Sequence, residues 1–189
     1  MLRIARLPVP LRERRVCVAM SGMGTAAFGV CVQPTSADRL DALESAAYKA
    51  VWRSPGRANR TLALMLFSNP RADPAIVMSM PPVLAMRGAL RAGTLTSGRL
   101  AEEVAAGHRV GPVAAFATAV RRLGAVLDHN PDFLAVGGDR LAWVDMPAGQ
   151  LRTLLIEAQY SNRARAVSAV RADCLHLAGG HRPAGLEKG

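Results

Sequence analysis

Aromatic residues are scarce: two Trp, two Tyr and four Phe, together 4% of the 189-residue chain. A core without rings must come from Ala, Val, Leu and Met, which pack at helix–helix contacts more readily than in sheets. Lysine is almost missing, 2 against 22 Arg. A coding bias that turns Lys into Arg would explain that ratio, though not the sign of the charge. Cysteines are few and far apart, Cys17, Cys31 and Cys174. That spacing excludes a disulfide framework and a CxxC metal pattern, and reduced thiols in an intracellular protein are the simplest reading. No Asp-Asp pair occurs, and Glu102-Glu103 is the one adjacent acidic pair. On a helix neighbouring side chains diverge by about 100°, so that pair reads as a solvated face rather than a two-metal site.

A long apolar run is also missing. Val16 to Ala37 carries no charge and follows Arg12, Arg14 and Arg15. As a helix, Val16–Val32 would span only ~26 Å. Gly22, Gly24, Gly29, Ser21 and Thr25 dilute it. A buried helix–turn–strand is the preferred reading, with a small membrane-anchored protein using Val16–Val32 as the alternative.

What is present is positive charge. The net is +10, and residues 1–60 hold ten basic and four acidic residues, hence +6. Such a balance favours phosphate-bearing partners or an anionic surface, and the planar guanidinium fork suits phosphate. Half the residues are apolar, which argues against global disorder.

The pattern predicts a mainly α fold, an irregular helical bundle with at most one short β-hairpin. Leu11–Met20 reads as a helix ended by Gly22 and Gly24, with β-prone Thr25–Val32 after it. Ser36 caps a helix in which Leu40, Leu43, Ala47, Ala50 and Val51 share one face. Trp52 at its end is expected to be largely buried against the Leu11–Met20 helix. Asn59 or Thr61 caps a short helix through Phe67. Asp73-Pro74 opens another, which Pro81-Pro82 divides into Pro74–Met80 and Pro82–Arg91. Ser97 caps Gly98–Ala106. Val113, Phe116, Val120, Leu123 and Leu127 form a helix-packing stripe. Phe133–Val136 and Leu141–Val144 flank Gly137-Gly138 as a hairpin, and Pro147 starts a long helix to about Leu177. The units expected are 1–68, a helical segment, 69–178, a helical domain, and 179–189, a disordered tail.

Several motifs give way to plainer readings. Gly22-Met23-Gly24 with Gly29 has the wrong spacing for a dinucleotide loop and is a turn. Cys174, His176 and His181 lack a fourth metal ligand. Ser21 lacks the flanking glycines of a nucleophile elbow. No catalytic residue, metal or cofactor is assigned, and no small-molecule substrate is evident. The strongest partner signal is the cluster Arg12, Arg14 and Arg15. It reads as nucleic-acid-binding through the backbone or as a solvated helix end.

The string from Arg3 to Arg53 resembles the region downstream of the catalytic palm in reverse transcriptases of non-LTR retrotransposons. Phe28-Gly29 stands where that family has Tyr-Gly, and Leu40, Leu43, Ala47, Val51 and Trp52 match its following helix. Arg71–Pro74 and Arg182–Gly189 look like later parts of such elements. The family's paired aspartates are absent. The resemblance therefore implies a non-enzymatic thumb or C-terminal fragment, or a decayed reading frame, with weak, sequence-independent nucleic-acid binding. The rest of a reverse transcriptase would be a further partner, in cytoplasm or nucleus. A generic helical interaction domain using the Val113–Leu127 stripe is the remaining alternative.

Overall fold

The computed structural model describes residues 4, 6–52, 60–67 and 70–179, with the side chains of 66, 67 and 170–179 left aside. The chain is mostly helical, with one small sheet. The elements are α1 (Leu11–Cys17), a π-helical turn Val18–Met23, α2 (Gly24–Ala26), α3 (Ala37–Trp52), α4 (Arg60–Phe67), a 3-10 turn Pro70–Ala72, and α5 (Pro74–Arg91). Then come α6 (Ser97–Ala105), α7 (Pro112–Arg122), β1 (Ala125–Leu127), β2 (Phe133–Val136), β3 (Asp139–Ala142) and α8 (Ala148–Gly179). The tail beyond Gly179, the Asn59 cap, and the side chains of Cys174, His176 and His181 lie outside the described residues.

Caps account for several starts. Ser36 Oγ accepts from Arg39 N at 3.2 Å, opening α3. Asp73 Oδ1 accepts from Ala75 N at 3.0 Å, and Pro74 fills the first helical position of α5. Thr96, one residue before the expected Ser97, caps α6 through Arg99 N at 3.3 Å.

The first helix does not end at its glycines. Gly24 sits at φ −56°, ψ −47°, and the chain stays helical to Ala26 before turning through residues 27–33. No strand forms at Thr25–Val32. The π turn inserts a residue's worth of slack where Val18 and Met23 become buried, whereas α1 itself buries nothing. Packing of those two side chains outweighs the cost of mid-helix glycine, about 1 kcal/mol.

Pro81 and Pro82 do not split α5 either. Each proline removes one N–H and costs roughly 3 kcal/mol in a helix interior. Ile76, Met78, Met80, Val83 and Met86 are buried around the pair, and each such burial contributes about 1.5–3 kcal/mol. α5 is the central helix, packed against α3, α7 and α8.

The sheet has three antiparallel strands in the order β1-β2-β3, with Val126 opposite Ala135 and Leu134 opposite Leu141. The expected hairpin is there, but β3 begins at Asp139, directly after Gly137-Gly138, and a third strand joins it. β1 contains Leu127, which the stripe assigned to a helix; α7 stops at Arg122 instead. The rest of the stripe points inward: Phe116, Val120 and Leu123 are buried in the main core.

That core joins α5, α6, α7, the sheet and α8, and its centre is Trp143, 0% exposed. Trp143 stacks on Phe116 with centroids 5.3 Å apart. Its Nε1 donates to Pro131 O at 2.7 Å. A smaller cluster joins Val18, Met23, Ala47, Ala50, Val51 and Ala72. Trp52 packs on this second cluster and stacks on Tyr48 at 5.2 Å, yet it is only partly buried. The cluster it packs on includes Val18, which lies in the apolar half of the expected Leu11–Met20 helix. The Ala-rich cluster is too shallow to enclose an indole. Among the described residues no helix is long and apolar enough to cross a membrane.

Candidate functional site

α1 has no apolar face to bury, so its side chains are left for the surface. Arg12, Val16 and Met20 recur every four residues, as do Arg15 and Ala19, and both rows open on one side. The 3-10 turn Pro70–Ala72 packs against the π turn and brings Arg71 to the facing wall. The result is a cleft of about 520 Å³ lined by Arg12, Arg15, Val16, Ala19, Met20 and Arg71. No carboxylate lines it. Met20 is 76% exposed, so the floor presents apolar surface between cations.

Arg14 belongs elsewhere. It is half-buried, outside that lining, and its Nε and Nη1 have no hydrogen-bond partner among the described residues. The sequence cluster thus divides, with two of its three arginines in the cleft. Arg71 was missed. The signal available for it was local: an Arg two residues before the Asp-Pro cap must leave the helix axis at its N-terminal end.

Arg71 also lines an adjoining cleft of about 500 Å³, whose other walls come from α5 and α8. Met80, Pro81, Leu84 and Ile156 supply apolar surface there, and Arg152 is its second cation. This lining too is free of carboxylates.

Behind the shared wall lies an ionic cluster that fixes it. Arg163 on α8 is largely buried and pairs with Asp73 and with Glu44 of α3. Arg60 on α4 pairs with Asp41 and donates to Ser45, with Glu44 3.9 Å away. Four elements therefore meet at the cap of α5, next to Arg71. Burial pushes the Asp73 and Glu44 carboxyls above the usual carboxylate range, and Arg163 pulls both down. Arg122 donates to Thr35 O, tying α7 to the loop before α3.

A third cleft, about 410 Å³, lies between α6, α7 and β1 and holds Glu103, His108, Thr118 and Arg121. His108 Nε2 stands 3.1 Å from Glu103 Oε2, both on the surface. No hydrogen bond joins His108 to the Thr118 hydroxyl among the described residues. No group of three or more His, Cys, Asp or Glu able to hold a metal occurs among the described residues. The chain matches no family model, no curated protein and no solved structure.

Proposed function

We propose that this chain is a non-catalytic, mostly helical nucleic-acid-binding element of the kind that follows the palm in non-LTR reverse transcriptases. It holds the sugar-phosphate backbone weakly and without reading sequence. The observation that carries this reading is the cleft that gathers Arg12, Arg15 and Arg71 with no carboxylate in its lining. Guanidinium groups give phosphate paired, charge-assisted donors, and the chain's +10 charge supplies the long-range attraction. The arginines are the only polar side chains in the lining, with no Asn, Gln, Asp or Glu to read the other base edges, so backbone contact without sequence selectivity is expected. Arg14, half-buried and outside the cleft lining, is not counted among these contacts.

The test is binding across a salt series. Three phosphate contacts give a log K against log salt slope of about −2 for single strands and nearer −3 for duplex. Replacing Arg12 and Arg15 with Ala should leave one contact, a slope of about −0.7 to −0.9. Unrelated sequences should weaken together. An unchanged slope in the double variant overturns the assignment. Template-directed nucleotide incorporation by the purified chain would overturn the non-catalytic part.

A further inference from the structure

The two clefts on either side of Arg71 lead to a narrower statement, which rests on the reading above. We infer that they form one continuous track for single-stranded nucleic acid, running from Arg12 and Arg15 past Arg71 to Arg152. Arg71 lines both clefts, so a ligand seated in one reaches the wall of the other. Cations stand at both ends and in the middle, and no acidic side chain lines either half. Between the cations the surface is apolar: Val16 and Met20 in the first cleft, Pro81, Leu84 and Ile156 in the second. Arg152 and Ile156 are one turn apart on α8, which places a cation beside an apolar side chain there, as Arg12 and Val16 do on α1.

That alternation selects the ligand. A duplex shows a protein its charged backbone and keeps its base faces stacked inside. It would meet the arginines and gain nothing from the apolar floor. An unpaired strand carries phosphates at regular intervals and exposes flat base faces, and burying those faces on the aliphatic side chains between the arginines adds to affinity through the hydrophobic effect without choosing a sequence. Concavity argues in the same direction, since a duplex is convex and wide while each cleft holds only about 500 Å³. A lipid surface would engage Met20 and Val16, 76% and 51% exposed, but not the partly buried Leu84 and Ile156 of the second cleft, so vesicle capture is the competing outcome of the test.

The experiment uses fluorescence anisotropy on the whole chain. Probes are oligothymidine of graded length, from about 4 to about 16 nucleotides, and a duplex of the longest length. The variant is Arg152→Ala, an exposed position whose folding is checked by circular dichroism. Wild type should bind the long single strand more tightly than the duplex, and affinity should rise as length grows from one cleft to two. Arg152→Ala should lower the slope magnitude by about 0.7 with the long strand and leave the shortest probe unaffected. Equal or tighter duplex binding overturns the track while sparing the phosphate-binding reading. So does an Arg152→Ala slope that matches wild type at every length. Failure to bind any oligonucleotide, with capture on phosphatidylserine vesicles instead, overturns both.

Discussion

The small cluster around Val51 and the large core around Trp143 handle apolar surface in opposite ways. The large core draws on five elements or more and encloses an indole completely, with Trp143 stacked, hydrogen-bonded and 0% exposed. The small one is half alanine and leaves its own indole, Trp52, partly exposed. Of nine exposed large apolar side chains among the described residues, six fall between Leu7 and Val32. The same stretch holds Arg12, Arg14 and Arg15 against the single carboxylate of Glu13. Arginine is divided likewise. Arg87 and Arg163 are spent inside, on Trp143 O and on Asp73 and Glu44. Arg12, Arg15 and Arg71 line a cleft. One region thus uses its chemistry to hold the fold, and the other leaves large apolar side chains exposed beside arginines.

The sharpest break in that comparison comes from the two tryptophans. Trp143→Ala should cost ~3–5 kcal/mol, the range for a fully buried large-to-small change. Trp52→Ala should cost less, about 2–3 kcal/mol, because part of the side chain already meets water. Denaturant titration of both variants measures the gap. Equal losses would mean that the small cluster is as well closed as the large core.

Arg163→Ala comes next, acting at the junction of the two regions. It leaves buried Asp73 without its cation and Glu44 with only Arg60, 3.9 Å away, a change of about 3–5 kcal/mol at neutral pH. The pH dependence has a definite sign. Burial raises the folded-state values of Asp73 and Glu44 above the unfolded ones. The folded chain therefore binds more protons between the two values. Stability from these groups is full below the unfolded values and is lost as pH rises through the raised folded ones. Arg163→Ala should steepen that loss and shrink in effect under acid conditions. Glu44→Gln in the wild-type background should flatten it. Urea midpoints between about pH 4 and pH 7 that rise with pH by the same amount in all three proteins would contradict the assignment.

The division between the regions also decides what could be read from residues alone. Side-chain caps are local, so Ser36 and Asp73 were legible, and the Leu40–Val51 stripe needs only its own helix. The elements that departed from expectation were settled by burial far along the chain. Pro81-Pro82 looks like a break until Val83, Met86 and Ile76 are packed on α7 and α8. Gly22 and Gly24 look like a stop until Val18 and Met23 find Ala47 and Ala50. Leu127 fits a helical stripe by spacing, but β2 offers it a ladder partner in Leu134. For the site, Arg12 and Arg15 were legible as charge on one helix face. Arg71 and Arg152 were not, because each joins the track through folding across more than fifty residues.

The finest test uses two glycines with left-handed backbone, one in each region. Gly124 follows α7 at φ +77°, and a Cβ there would lie 1.7 Å from Asn162 Nδ2 and 3.3 Å from the Ala158 carbonyl oxygen on α8. The Asn162 side chain would have to swing away, and the backbone oxygen leaves little room behind it. Gly124→Ala should therefore cost the left-handed penalty of about 1–2 kcal/mol and an overpacking cost of about 1–3 kcal/mol. Gly29 has nearly the same backbone, φ +79°, but nothing lies within 4 Å of its would-be Cβ. Gly29→Ala should cost only the conformational part, and Gly29→Asn less again, since Asn tolerates this region of backbone space. The two Ala variants therefore share one backbone term, and their difference isolates packing. A difference near zero in melting midpoints would mean that the contact between Gly124 and α8 is loose. The contrast between a closed core and an open cationic region would then rest on tryptophan burial alone.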